Sequence, residues 1–254
     1  MEAYVRSENH NAITTIEFFH PQSNSLPAKM LEQIAQQIHS AANDDDTSVV
    51  VIKSAGEKAF CAGASFEELA AIRTAAEGLE FFSGFAHVMN AMRKCPKFII
   101  ARIHGRCVGG GVGIAAAADY AIAVEGADIK LSELSVGIGP FVVGPAVERK
   151  IGLAAFSHLA IDASMWRNAD WARRKGLYAE LHPAVSEMDE SISRLSNTLS
   201  HSNPAAIKEL KKVLWNGTEN WEHLLIERAA ISGRLIITDF AKKGIEKFKE
   251  KKPV

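Results

Sequence analysis

The sequence predicts an α/β fold in which strands and helices alternate through the first half and helices follow one another through the second. Three observations carry this prediction. Runs rich in β-branched and aromatic residues recur at 13–19 (ITTIEFF), 48–54 (SVVVIKS) and 97–103 (KFIIARI), which is the composition of buried strands. Between them lie segments whose apolar residues return every three or four positions, the period of a helix with one buried face. From about residue 144 the strand signals stop, and the chain reads as a strand-rich core followed by a helical region.

Taken in order, the first strand at 13–19 leads to a helix over 27–43, with Met30, Leu31, Ile34 and Ile38 on one face and Pro27 at its first turn. The strand at 48–54 follows, then helical stretches near 66–76 and 78–93. Strands at 97–103, 120–124 and 129–131 close the first half. Beyond residue 144, GPAVERKIG, AAFSHLAIDA and their successors carry all four tryptophans, Trp166, Trp171, Trp215 and Trp221. At helical spacing these read as packing residues.

Composition narrows the function. Of 254 residues, 47% are hydrophobic and 23% charged, enough to bury a large core. Lys and Arg total 29 against 30 Asp and Glu, a net charge of -1, so no basic field points to nucleic acid as a partner. Cys61, Cys95 and Cys107 are too few and too scattered for a disulfide framework and form no CxxC pair. A reducing compartment fits them. The N-terminal stretch has no basic segment followed by an apolar one, and no run approaches the roughly 18 apolar residues that span a bilayer. A soluble, cytoplasmic protein with no membrane partner is expected.

The densest signal is GRCVGGGVGIAAAAD at 105–119. Gly111, Gly113 and Ala116 spell GxGxxA after a strand, the outline of a dinucleotide turn. Against that reading, two strands precede it, and the acids after it, Glu125 and Asp128, come too early to meet a ribose. The other reading is a smaller anion site. Glycines at 109–111 let a ligand reach the main chain, and N–H groups at a helix start point outward with the dipole behind them. An oxygen gaining charge during a reaction would be stabilised there. One such donor contributes roughly 3 kcal/mol, and a second is expected from the small-residue turn in KAFCAGASFEEL at 58–69, which also joins a strand to a helix.

Together AFCAGASFEEL, PKFIIARIHGRCVGGGVGIAAAADYAIA, KLSELSVGIGP and DFAKKGIEKFKEKK resemble the crotonase superfamily, the enoyl-CoA hydratase/isomerase enzymes, over almost the whole chain. The resemblance implies a crotonase-like spiral of ββα units over 1–195, with a C-terminal helical region over 196–254 that takes part in trimer contacts. It implies an acyl-CoA thioester as substrate, with coenzyme A entering as part of it, no permanently bound cofactor or metal, and a homotrimer or a hexamer built as a dimer of trimers. The N–H groups of Ala64 and Gly110 fall where the family places its oxyanion hole. Ala62, flanked by Gly63, falls where main-chain oxygen meets the adenine end of the coenzyme, and Gly109 belongs to the second turn. Lys252, in the basic terminal helix with Lys242, Lys243 and Lys247, falls where the family approaches coenzyme A phosphates, by the same subunit or a neighbour.

The departures are as informative as the matches. Hydratases of the family carry two glutamates; here the first place is Gly113 and the second is Glu133. Where hydratases read LGxIPGAGGTQ this chain reads VGIGPFVVGPAVE, so Phe141 stands in place of a glycine. Ser65 replaces the usual aspartate of the first turn, and Glu67 and Glu68 lie further along its helix. Two carboxylates position and deprotonate water, whereas moving a double bond needs one base that takes a proton at one carbon and returns it at another. Isomerisation or a related enolate reaction is therefore expected, with hydration by Glu133 alone and non-catalytic binding of a coenzyme A thioester as alternatives. Cys61 and Cys107 read as buried thiols, His104 as a hydrogen-bonded structural histidine, and Asp119 as a local cap.

Overall fold

The structure, a computed structural model, describes residues 2–250, with side chains described as far as Lys247. Strand β1 (Tyr4–His10) pairs antiparallel with β2 (Ile13–Phe19). Asn11 and Ala12 between them have φ of 53° and 64°, as in the type I′ turn that matches the twist of paired strands. β1 escapes sequence reading because five of its seven residues are exposed and it carries no apolar run.

Helix α1 (Ala28–Asn43) buries Met30, Leu31, Ile34 and Ile38, the predicted face. The chain then repeats one unit. β3 (Val49–Ser54) and β4 (Ala59–Cys61) precede α2 (Phe66–Ala71) and α3 (Ala75–Lys94). β5 (Phe98–Ile103) and β6 (Arg106–Val108) precede α4 (Gly110–Ala117). β7 (Tyr120–Val124) and β8 (Ile129–Lys130) precede a 3₁₀ turn, Glu133–Val136, and α5 (Gly144–Ile161). After α6 (Ala169–Arg174) comes β9 (Glu180–His182).

The first strand of each unit joins a six-stranded sheet, β1-β2-β3-β5-β7-β9, and the second joins a three-stranded sheet, β4-β6-β8. Every pairing between these strands after the first hairpin is parallel, and one isolated antiparallel bridge joins Ile129 to Arg167. Each unit therefore advances by one strand in both sheets, and the chain climbs as a spiral of ββα units. Val49, Val50, Val51 and Ile52 are all buried, as a parallel strand covered on both faces requires. The geometry has one consequence for function. The loops leaving β4, β6 and β8 emerge at the same end of the small sheet.

Helix α7 (Val185–Ser200) lies across β3, β5, β7 and β9, and the division expected after residue 195 falls inside this continuous helix. α8 (Pro204–Leu214), α9 (Trp221–Ile236) and α10 (Asp239–Glu250) follow. α9 packs along α3 so closely that a Cβ on Gly78 would lie 2.7 Å from Gly233 Cα. α10 rests on α2 and on the 3₁₀ turn. Among the described residues no helix is long and apolar enough to cross a membrane.

Asp119 corrects the reading of a local cap. Its buried carboxylate accepts from the Ile99 N–H at 2.7 Å, Lys211 Nζ at 2.7 Å and Trp215 Nε1 at 2.8 Å. Lys211, equally buried, also donates to the carbonyls of Met92 and Lys97. A buried charge needs a partner and further hydrogen bonds, and this pair ties α8 to the sheet. Trp215 meets Trp221 edge-to-face at 5.7 Å, while Trp166 stays partly exposed beside Arg106 and Lys130.

Candidate active site

Residues 62–64 follow β4, and their shape is set by the chain before α1. Leu26 forms a parallel bridge with Ala64. Its N–H donates to Gly63 O at 2.8 Å, and Ser65 N–H donates to Leu26 O at 3.2 Å. Those bonds flank Ala64, so the Ala64 N–H faces away from Leu26. Gly63 has φ of 87°, and a Cβ there would lie 2.9 Å from Val108 O and 3.4 Å from Gly110 N. The first loop therefore lies directly against the second. Ser65 caps α2 through the Glu68 N–H, and Glu68 and Glu67 accept from Ala28 N–H and Gln22 Nε2.

In the second loop Gly109 has φ of 52° and ψ of −113°, a conformation side chains resist. Gly110 opens α4, and its N–H is one that a helix leaves without an internal acceptor, at the positive end of the dipole. A Cβ on Gly110 would lie 2.0 Å from Phe85 Cε1, and one on Gly111 2.5 Å from Cys61 O. The bare backbone is what lets α4 pack here.

The third loop carries Glu133 as the first residue of the 3₁₀ turn. Gly137 ends that turn with φ of 81°, and Ile138 N–H returns to Glu133 O at 3.1 Å. A Cβ on Gly109 would lie 3.0 Å from Glu133 Oε1, so the carboxylate sits over the second loop, next to Gly110. The residue keeps partial exposure through the mouth of the cleft, yet its Oε2 is buried and has no hydrogen-bond partner among the described residues. Burial pushes the Glu133 carboxyl up to about 7, against a smaller opposing pull from its own backbone N–H.

The structure brings Ala62, Gly63, Ala64, Gly109, Gly110, Glu133 and Phe141 to the wall of one cleft. Lys252 lies outside the described residues. Phe82 and Phe85 of α3, Leu69 of α2 and Ser232 of α9 complete the wall. Sequence reading misses Phe82, Phe85 and Ser232 because they sit at buried positions of helices remote from the motifs, and Leu69, which ends the first motif, reads there as an ordinary core residue. Val143 was also missed, being one apolar residue among several.

Cys61 and Cys107 are buried, Cys61 with its thiol pushed up to about 12 by burial and Cys107 also pushed up; both are inert thiols. His104 is buried, but it is not hydrogen-bonded as expected, since among the described residues neither ring nitrogen has a partner. Burial, with the Arg102 cation nearby, pulls its pKa down to about 4 and keeps it neutral.

Residues 8–254 match the family described as enoyl-CoA hydratase/isomerase, and the chain belongs to that family of enzymes. A bovine (Bos taurus) mitochondrial 3-hydroxyisobutyryl-CoA hydrolase is 34% identical over 135 residues, which is 51% of this chain but only 35% of that relative. A peroxisomal Delta(3,5)-Delta(2,4)-dienoyl-CoA isomerase of Arabidopsis thaliana is 26% identical over 240 residues, 86% of this chain and 84% of the relative. The solved structure of an enoyl-CoA hydratase from Bacillus halodurans superposes with a TM-score of 0.88 at 23% identity, covering 96% of this chain and 99% of that one. The spiral fold is shared. The three relatives carry three different reactions, so the choice of reaction rests on the site.

Proposed function

We propose that the protein acts on acyl-CoA thioesters and moves a double bond along the acyl chain by proton transfer through Glu133. The observation that carries this reading is a partly buried carboxylate, Glu133, the only one lining the cleft among the described residues, beside two loops that bring the backbones of Ala64 and Gly110 to an otherwise apolar wall. With the thioester oxygen between those donors, Glu133 as carboxylate removes a proton from the carbon next to the carbonyl. The electron pair moves onto oxygen as an enolate conjugated with the double bond. The protonated Glu133 then returns the proton two carbons further on, and the double bond shifts into conjugation with the thioester. Each donor contributes roughly 3 kcal/mol to the enolate. A carboxyl near 7 holds and releases the proton with little driving force lost in either direction.

Coenzyme A binding belongs to the same proposal, with Ala62 main-chain oxygen at the adenine and the exposed Lys242, Lys243 and Lys247 of α10 as phosphate partners. Assembly as a trimer or hexamer completes it. The test is conversion of a 3-enoyl-CoA to the conjugated 2-enoyl-CoA, read by ultraviolet absorbance. The expected result is turnover by the native protein and its loss, by about a hundredfold or more, in Glu133→Gln. Equal rates in the two proteins would defeat the mechanism, and binding without turnover of any acyl-CoA would favour a non-catalytic thioester-binding role.

A further inference from the structure

Gly113 lies one turn into α4, buried, on the side packed against the start of α5. It does not line the cleft; Val143, just before α5, does. A Cβ built on Gly113 would lie 2.5 Å from Val143 Cγ1 and 2.9 Å from Val143 Cβ, while the next neighbour, Met89 Sδ, is at 3.7 Å. The second distance matters most. Two Cβ atoms cannot approach to 2.9 Å, so trimming Val143 to alanine would still leave the clash. Side chains at both 113 and 143 would need the backbone to shift, whereas glycine at either position needs no shift.

We infer that Val143 is a specificity-determining residue: it occupies the space a side chain at position 113 would need to reach the cleft, and so holds the site to one carboxylate. The pair is reciprocal, with a small residue on α4 and a branched one before α5 filling a single volume. Overpacking such a contact distorts the backbone or forces strained rotamers, so a glutamate introduced at 113 alone has no route past Val143. Glycine at 143 opens that route, and the carboxylate of a glutamate at 113 then enters the cleft that Glu133 lines. The same valine adds an apolar wall where a second acid would hold water. This rests on the single-carboxylate reading of the cleft, although the steric part does not.

The test is a cycle at the two positions with two readouts. In the native background Gly113→Ala should lower the melting temperature or prevent folding. In a Val143→Gly background the same change should raise it, because alanine is favoured over glycine inside a helix. That reversal of sign supports the pairing, and a change of the same sign in both backgrounds overturns it. For chemistry, Gly113→Glu combined with Val143→Gly should hydrate a 2-enoyl-CoA at least tenfold faster than either the native protein or Val143→Gly. A folded double variant with no gain, or an equal gain from Val143→Gly alone, overturns the assignment. Absence of isomerisation in the native protein would count against the proposed function, and the stability cycle would still decide the steric pairing.

Discussion

Replacing Glu133 with glutamine should stabilise the protein above neutral pH while removing its activity. The carboxyl has an ordinary value of 4.5 and is pushed up to about 7 by burial in the cleft. A rise of that size corresponds to about 3 kcal/mol against the charged form, an upper figure because the cleft keeps some contact with solvent. Between pH 4.5 and 7 the folded state holds a proton that the unfolded chain has lost, so native stability falls as pH rises through this window. Below 4.5 both states are protonated and the difference disappears. Above 7 the folded protein carries the full cost of a buried charge. Glutamine is neutral throughout. The variant should therefore match the native protein near pH 4.5 and exceed it at pH 8 by up to about 3 kcal/mol, measured by paired urea or calorimetric unfolding across that range. A difference between the two proteins that does not change with pH would refute the argument. The same titration should appear in kinetics, with activity rising as the carboxylate forms around pH 7.

Four further substitutions probe the frame around the site. Ala12→Gly should stabilise by about 0.5–1 kcal/mol in denaturant unfolding, because Ala12 sits at φ of 64° in a hairpin turn that glycine adopts without strain. Lys211→Met should cost about 3–5 kcal/mol, since it leaves the Asp119 carboxylate buried without its cation; little loss by calorimetry would mean that pair is solvated. Gly137→Ala places a Cβ 2.6 Å from Phe240 Cδ1 and 3.0 Å from Ala241 Cα at a φ of 81°. It should cost about 1–3 kcal/mol and lower turnover by lifting α10 from the Glu133 turn, while Gly126→Ala, with nothing within 4 Å, should change neither melting temperature nor rate.

Much of the cleft's wall was legible in sequence because it is built from glycine-rich turns and one acid at fixed spacing from them. Gly110 must lack a side chain to pass Phe85, and Gly63 and Gly109 must adopt positive φ, so the requirements leave a mark at those positions. The long parallel strands were legible for a similar reason, being buried on both faces. What stayed hidden depends on pairing at a distance. β4 and β6 are three residues each and read as turn until they are seen to pair, Cys61 against Cys107. Asp119 looked like a local cap because its partners, Lys211 and Trp215, lie over 90 residues away. Val143 and Gly113 are ordinary residues separately, and only their contact shows why Gly113 cannot gain a side chain while Val143 keeps its own.

In the proposed reaction one carboxylate moves a proton and no water is added. Incubating a 3-enoyl-CoA with the native protein in D₂O and weighing the product tests it directly. The account predicts a 2-enoyl-CoA whose mass rises only by exchange of carbon-bound hydrogen for deuterium, with that product absent in Glu133→Gln. A 3-hydroxyacyl-CoA heavier by a whole molecule of D₂O, formed as the main product, would contradict it.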